Sequence, residues 1–191
     1  MPFRSVLIGC LLAVLAGCTS NAATGGLVRD PMQLRAQFNA DVNKVRVLTV
    51  LSPSCSSCAE GARIVQTEVF AKVADPNLVG YVVWGPFLSQ DSEQMAERAM
   101  VLVPDARVRH YWDERKRIAV GLTNVLGIAP LLGWDVFLVY APGVKWNQAD
   151  LTPPPPTIFM HQSRSIAKGQ HLDGAALRQK IEPMLKAKPK P

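Results

Sequence analysis

The sequence predicts an α/β domain in which helices cover a central sheet. Its 191 residues are 48% hydrophobic and 19% charged, which is the composition of a globular chain. Short runs of β-branched and aromatic residues alternate with segments whose apolar residues recur at helical spacing. Such alternation is typical of strands joined through helices, and it predicts a β-α-β unit with parallel strands.

The first residues have the pattern of an export signal. A basic start at Arg4 precedes an apolar run of about twelve residues, which is too short to span a bilayer. The run ends in Leu15-Ala16-Gly17-Cys18, which resembles the lipobox of bacterial lipoproteins. The resemblance implies a signal peptide over 1–17, a lipid such as palmitate on Cys18 and a tether over 18–28. The alternative is an ordinary secretory signal that contains a chance cysteine.

The first predicted elements of the mature chain lead to a pair of cysteines. Asp30 is the expected N-cap of a short helix, and Pro31 suits the first turn of that helix. A β-branched run over Val45–Leu51 predicts a buried strand. The segment after Cys58 has apolar residues at helical spacing, so both cysteines are expected where a strand turns into a helix.

The later elements follow from the same patterns. We predict strands over 79–84, 134–140 and 157–161, and helices from Asp91 to about 101, within 105–128 and from Asp173 to about 185. The basic residues 187–191 are a solvated tail.

Only two of the four cysteines are expected to remain as thiols. Cys10 leaves with the signal peptide, and Cys18 becomes the lipid attachment site. Cys55 and Cys58 form a Cys-x-x-Cys motif at the start of a predicted helix, where the helix dipole favours the thiolate form of the first cysteine. Thiol-disulfide exchange needs a reactive thiolate and a nearby resolving thiol, and this spacing supplies both.

The order of strand, Cys-x-x-Cys and helix resembles the thioredoxin fold. The resemblance implies a three-layer sandwich with a central mixed sheet over 29–186. It also implies Cys55 as the nucleophile, Cys58 as the resolving thiol and no cofactor. The segment 87–133 is then a long insert, which we expect to be helical. Thioredoxins also place a cis-proline before their third strand, and Pro156 is our candidate. In the competing alignment Trp134 and Asp135 precede that strand, and there is no cis-proline.

Several residues depart from the family pattern. Ser54 stands where thioredoxins have a tryptophan, and Ser56 and Ser57 separate the cysteines without proline or glycine. The buried acid that thioredoxins place six residues before the first cysteine is replaced by Thr49. The nearby Glu60 is a candidate replacement, although an exposed helical glutamate is the simpler interpretation.

Two other functions remain open for the cysteine pair. Two thiolates at this spacing also suit a soft ion such as Cu(I) or Hg(II), so the alternative function is metal binding through Cys55 and Cys58. A static disulfide or a non-catalytic binding module is the third possibility. His110, His161 and His171 lack the paired spacing of metal ligands, and we expect each to be an ordinary surface or half-buried residue, with His161 notable because it ends a strand.

The predicted location and partners follow from the export signal. The net charge of +6 is too small an excess to indicate a nucleic-acid partner, which an exported lipoprotein rarely meets. We expect a lipid-anchored protein of the bacterial cell envelope that faces the periplasm and acts on protein thiols or disulfides. Thr19 and Ser20 follow the lipobox without an aspartate, which slightly favours the outer membrane.

Overall fold

The computed structural model describes residues 25–147, 150–167 and 169–187. The predicted signal peptide, Cys18 and most of the predicted tether and tail lie outside the described residues. The described part contains one six-stranded sheet. Its strands are β1 (Val45–Leu51), β2 (Leu78–Trp84), β3 (Val108–Trp112), β4 (Val136–Tyr140), β5 (Ile158–His161) and β6 (Gln170–His171).

The sheet is mixed, as the resemblance to thioredoxins implies. Its strand order is β3-β2-β1-β4-β5-β6, so β1 lies inside the sheet between β2 and β4. Strand β2 runs parallel to β1, whereas β4 runs antiparallel to it. All seven residues of β1 are buried, because helices cover both faces of the sheet at this strand.

Helices lie on both faces of the sheet. They are α1 (Pro31–Ala40), α2 (Ser56–Ile64), α3 (Glu93–Ala99), α4 (Arg117–Val125) and α5 (Gly174–Lys186), and a π-helical segment, Val65–Phe70, continues α2. One core cluster joins the sheet to apolar residues of α2, α3 and α5. A second cluster joins the opposite face to α1 and α4. These three layers confirm the predicted fold class.

The helical insert predicted over 87–133 is wrong in one respect, because it contains strand β3. The sequence patterns predict helices within 105–128, but β3 lies at the edge of the sheet, where an alternating side chain such as Arg109 is exposed. Two smaller boundaries also differ. Ser92, rather than Asp91, caps α3, and Val28, at the end of the predicted tether, pairs with Tyr111 of β3.

Pro156 does not fit the predicted cis-proline. It lies in the connection between β4 and β5, and the strand beside β1 is β4, which Trp134 and Asp135 precede. Among the described residues the cis peptide bond is Ala129–Pro130. In the competing alignment Trp134 and Asp135 precede the third strand of the thioredoxin pattern, which is β4 in this structure. The structure agrees with that alignment, and Asp135 holds the position before β4.

None of the described helices is both long enough and apolar enough to cross a bilayer.

Helix α2 approaches the sheet closely at Gly61. A Cβ atom at this position would overlap the ring of Phe137 on β4 and the side chain of Gln162. Glycine at position 61 therefore allows the helix to lie close to β4, and the start of the helix carries the two cysteines.

We predict that Gly61→Ala destabilises the protein by about 1–3 kcal/mol, because the added methyl overpacks the contact between α2 and β4. A glycine in an open helix interior would respond in the opposite way, with a gain of about 1 kcal/mol. Urea unfolding measures the difference. The exposed Glu60 provides a control on the same helix, and Glu60→Ala should change stability by less than about 0.5 kcal/mol. A Gly61→Ala protein more stable than the wild type would contradict this account.

Candidate active site

The two cysteines lie at the N-terminus of α2, where β1 ends. Cys55 is the N-cap residue with an extended backbone, and its Sγ accepts a hydrogen bond from the backbone N–H of Cys58 at 3.4 Å. Free N–H groups and the positive end of the helix dipole favour negative charge on a sulfur at this position. The predicted placement of the pair at a strand-to-helix turn is therefore confirmed.

The two thiols differ strongly in their exposure. Cys55 is partly exposed, whereas Cys58 is fully buried and packs in the core beneath α2. The Sγ of Cys58 accepts a hydrogen bond from the backbone N–H of Ser52 at 3.4 Å. Burial raises the pKa of the Cys58 thiol well above its ordinary value, and the negative charge of Asp135 adds to this effect. Cys55 is thus the thiol that a partner molecule can reach.

Asp135 lies beside the cysteine pair, immediately before β4. Its backbone is in the left-handed region, with φ of 56°, and its N–H donates to the carbonyl of Val50 on β1 at 2.8 Å. Only 5% of the residue is exposed. Aspartate and asparagine tolerate this backbone region better than most residues, which suits Asp135 to the turn.

The Asp135 carboxylate is connected to both cysteines. The hydroxyl of Ser57 donates to Asp135 Oδ2 at 3.0 Å and lies 3.0 Å from the Sγ of Cys55. Burial raises the pKa of Asp135, while hydrogen bonds from Ser57 and Cys58 and the charge of His161 partly oppose this rise. A buried carboxylate therefore shares its surroundings with a buried thiol.

Gln162, which follows β5, completes the polar surroundings of Asp135. With its amide oriented to match its neighbours, the side-chain nitrogen donates to Asp135 Oδ1 at 3.2 Å and to the carbonyl of Ser57 at 2.8 Å. The backbone N–H of Gln162 also donates to the carbonyl of Asp135 at 3.2 Å. These contacts join the turn before β4 to the first turn of α2.

Asp91 holds the loop that leads into Cys55. Its Oδ1 accepts hydrogen bonds from the hydroxyl of Ser52 at 2.9 Å and from the backbone N–H of Ser54 at 3.1 Å. The hydroxyl of Ser54 donates to the same oxygen, and the N–H of Leu88 donates to Oδ2 at 2.8 Å. Burial opposes ionisation of this carboxyl, but the hydrogen bonds prevail and hold the pKa of Asp91 below its usual value.

The three histidines lie in different surroundings. His161 is buried at the end of β5, near Asp135, and its ring centroid is 4.8 Å from that of His171. His110 is buried on β3, where its Nδ1 accepts a hydrogen bond from the indole N–H of Trp84 at 3.2 Å. Over the described ranges, no three histidine, cysteine, aspartate or glutamate residues form a group suited to a metal ion.

A cavity of about 460 Å³ opens beside the cysteine pair. Its walls include Ser57, Trp134, Asp135 and Gln162, and Arg164 brings a positive charge to it. Trp134 stacks on Phe87 with ring centroids 5.1 Å apart. A larger cavity of about 570 Å³ lies at the opposite end of the parallel strands, lined by Arg107 among others, and does not reach the thiols.

Sequence reasoning identified the thiols of this site but not its acids. Glu60, the candidate acid, is exposed and pairs with Arg63 at 3.6 Å. Thr49 is buried on β1, but a threonine side chain is not an acid. The buried acid of this site is Asp135. The sequence does hold a signal for Asp135, because an acidic residue is unusual directly before an apolar strand, between Trp134 and Val136.

We predict that Asp91→Ala destabilises the protein by about 2 kcal/mol at pH 7, because four donors lose a charged acceptor. The folded-state pKa of Asp91 is lowered, so its contribution is complete above the unfolded value of about 3.9 and is lost as pH falls through the folded value. The stability difference between wild type and variant should therefore shrink below about pH 4.

Urea unfolding over this pH range measures the difference. The exposed Glu114 serves as a control, and Glu114→Ala should have little effect at any pH. A stability deficit of Asp91→Ala that is absent at pH 7, or that stays constant down to about pH 2, would contradict this role of Asp91.

Several solved structures resemble this chain. The DsbF protein of MTB, in its mixed oxidised and reduced forms, is 11% identical over 76% of this chain and 84% of its own, with a TM-score of 0.46. A secreted Mycobacterium tuberculosis disulfide oxidoreductase homologous to E. coli DsbE is 10% identical over 74% of this chain and 82% of its own, with a TM-score of 0.43. A thioredoxin-like protein in the oxidised form is 14% identical over 75% and 79%, with a TM-score of 0.48.

No protein-family model matches the chain, and no curated protein sequence matches it. At such low identities the likeness does not extend to substrates or partners. The strand order and the helix that begins at the cysteine pair give this chain a thioredoxin-like α/β fold.

Proposed function

We propose that this protein is a thiol-disulfide oxidoreductase of the bacterial cell envelope, which uses Cys55 and Cys58 for exchange with protein thiols or disulfides. The observation that carries the proposal is the asymmetry of the pair at the N-terminus of α2. Cys55 is partly exposed and accepts a helix N–H, while Cys58 is buried behind it. Cys55 can therefore react with a thiol or disulfide of a partner protein, and Cys58 can then attack the mixed disulfide that forms on Cys55.

In the reducing direction, the Cys55 thiolate attacks one sulfur of a substrate disulfide. The substrate S–S bond breaks, its second sulfur leaves as a thiolate, and a mixed disulfide forms on Cys55. Cys58 then attacks Cys55 Sγ and releases the first substrate sulfur. The substrate gains two electrons and the Cys55–Cys58 pair becomes a disulfide, and the oxidising direction is the reverse.

The cavity beside Cys55 supports a protein or peptide substrate. It lies next to Ser57 and is bounded by Trp134, which offers an aromatic surface, and by Asp135 in the turn before β4. A peptide that places its disulfide over Cys55 can rest its neighbouring residues in this cavity.

The alternatives have less support from the site. A disulfide that closes so short a loop restrains the unfolded chain little, so a purely structural role for the pair is a weak explanation. A soft ion would take both sulfurs as thiolates, and over the described residues no third histidine, cysteine or acidic residue groups with them to hold a metal ion. We therefore do not propose a metal function.

The cell-envelope location rests on the sequence before residue 25. The export signal over 1–17 and the lipobox that ends at Cys18 support a protein tethered by lipid and facing the periplasm. Neither feature falls within the described residues.

We predict that the wild-type protein reduces an insulin-type disulfide with dithiothreitol as electron donor, or oxidises a reduced protein substrate. Cys55→Ser should abolish both activities, because the attacking thiolate is lost. Cys58→Ser should instead accumulate the mixed disulfide on Cys55, which mass spectrometry detects. A wild-type protein that is inert in both directions would refute the proposed function, and dependence of Cu(I) binding on both cysteines would favour the metal alternative.

We also predict that the full chain, expressed in a bacterium, sediments with membranes and incorporates labelled palmitate. Cys18→Ser should remove the label and release the protein from the membrane fraction, because no acyl chain then anchors it. Cys10→Ser is the matched control and should leave both properties unchanged. Retention of the Cys18→Ser protein in the membrane fraction would contradict the lipid tether.

A further inference from the structure

The active site occupies one end of the sheet, and several loops meet there. Strands β1, β2 and β3 are parallel and end together, at Leu51, Trp84 and Trp112. The antiparallel strand β4 begins at this end, and β5, which is antiparallel to β4, finishes there. The loop that carries Cys55 is therefore surrounded by the loops after β2, β3 and β5 and by the turn before β4.

Two of these loops present basic side chains. The loop after β3 contains the run Arg115-Lys116-Arg117, in which both arginines are exposed and the lysine is partly exposed. The loop after β5 contains the exposed Arg164, which lines the cavity beside Ser57. We call these four residues the basic rim of the active site. They lie at the end of the sheet where a substrate must approach the reactive thiol.

Contacts between the loops connect the basic run to the active-site cavity. The N–H of Asp113 donates to the carbonyl of Trp84 at 2.9 Å, which holds the loop after β3 against the end of β2. The N–H of Gly133 donates at 3.2 Å to the carbonyl of Ala119, in the first turn of α4. Gly133 directly precedes Trp134 in the cavity wall. The start of α4 thus adjoins the aromatic wall of the cavity.

The whole rim fits within the footprint of one protein partner. Strands β1 and β3 are separated by β2 alone, so their ends lie two strand spacings, about 10 Å, apart. A standard protein interface covers about 800 Å² on each partner. A substrate protein whose disulfide lies over Cys55 therefore also covers the loop after β3.

The acids of these loops are withdrawn from the surface. Asp113 and Asp135 are only 2% and 5% exposed. The Asp91 carboxylate is occupied by hydrogen bonds from the loop before Cys55 and from the loop after β2. Glu114 is the one fully exposed acid in the described parts of these loops. An acidic side chain of a partner can therefore pair with the rim, whereas a basic one would meet only Glu114 there.

The protein does not neutralise the basic rim itself. Within the described ranges, none of its four residues forms an ion pair. Basic side chains elsewhere do pair with acids, namely Arg29, Lys44, Arg63, Lys72, Arg107 and Arg178. Further acids at this end of the sheet already have partners, namely Glu93, Glu97, Asp30 and Asp173. The positive charge of the rim is therefore available to a partner molecule.

The basic run does not serve the stability of α4. Arg117 is the first residue of this helix and Lys116 is its N-cap residue, which makes no capping hydrogen bond through its side chain. The positive end of the helix dipole lies at this position, so basic side chains oppose the helix there. Asp113 supplies the cap instead, because its Oδ2 accepts the N–H of Ile118 at 2.8 Å. A departure from the local rule is expected where residues serve binding.

We infer that the protein substrates of this site carry acidic residues close to the disulfide or thiol that reacts with Cys55, and that the basic rim binds them. The inference rests on the proposed function, because it names the substrate class of the same exchange reaction. Acidic residues of the substrate pair with Arg115 and Arg117, while apolar residues next to its disulfide pack on Trp134. Opposite charges speed the encounter and disfavour partners of like charge.

Two disulfide peptides that differ only in charge test the inference. Both contain the same internal disulfide, flanked by glutamates in one peptide and by lysines in the other, and the reduced full-length protein is the reductant. The rate with dithiothreitol alone gives the intrinsic reactivity of each peptide, and the rate with the protein is divided by it. We expect the acidic peptide to react about 10-fold faster at low ionic strength. The preference should disappear near 1 M salt, where the Debye length is about 3 Å.

Charge reversal tests which residues cause the preference. Arg115→Glu combined with Arg117→Glu should abolish or invert it, and acids at the start of α4 suit the helix dipole, so the fold should persist. The matched control is Lys180→Glu combined with Lys186→Glu, which changes the net charge equally on exposed positions of α5. The last turn of α5 shares a cavity with Asp75 at the opposite end of the sheet, so the control should keep the preference. The ratio of the two rates is unaffected by a general loss of activity.

The outcomes separate this inference from the proposed function. A wild-type protein that neither reduces these peptides nor, in its disulfide form, oxidises their dithiols would refute the function itself. Equal normalised rates for the two peptides in the wild type, or an unchanged preference in the Arg115→Glu, Arg117→Glu protein, would overturn the substrate class alone. If that variant does not fold, the salt dependence of the wild-type preference decides.

A lipid surface is the other anionic partner that a basic rim could bind. Sedimentation with vesicles of phosphatidylglycerol and of phosphatidylcholine tests it directly. Salt-sensitive binding to the phosphatidylglycerol vesicles, together with equal rates for the two peptides, would assign the rim to the membrane and overturn the inference. A peptide preference without such binding would support an acidic protein substrate.

Discussion

The site depends on the close approach of helix α2 to strand β4. Glycine at position 61 allows this approach, since a side chain there would overlap Phe137. The first turn of the helix consequently lies against the turn before β4, which brings Cys58 and Ser57 to Asp135. The same contact excludes water from Cys58, so the electrostatic interactions among these groups are stronger than they would be at the surface.

The electrostatics of the site explain why the two thiols differ. At Cys55 a helix N–H is aimed at the sulfur, and the residue is partly exposed. At Cys58 burial and the charge of Asp135 both oppose the thiolate. A pair in which one thiol is reactive and the other is buried can form a mixed disulfide on the first thiol and then resolve it with the second. Asp91 also supports this arrangement, because its carboxylate accepts the backbone N–H of Ser54 and so fixes the loop that precedes Cys55.

Local sequence patterns predicted much of this structure. The β-branched run of β1, the cysteine spacing and the apolar positions after Cys58 indicated the strand, the motif and the helix, because each depends on neighbouring residues. Strand β3 was missed because an edge strand exposes charged side chains, and its basic residues resemble those of a helix face. Asp135 was missed as an acid of the site because 77 residues separate it from Cys58, and only the pairing of β1 with β4 brings them together. The prediction that Pro156 is a cis-proline was wrong for a related reason. It depended on whether β4 or β5 lies beside β1, and local sequence patterns do not give the order of strands in a sheet.

The most direct test of the account is the redox equilibrium of the cysteine pair. The protein would be equilibrated in buffers that range from oxidising glutathione to reducing dithiothreitol, and the Cys55–Cys58 disulfide would be quantified by alkylation and mass spectrometry. The account predicts one reversible two-electron transition between the dithiol and the internal disulfide. A pair that stays reduced under all of these conditions, or that forms only adducts with glutathione, would contradict it.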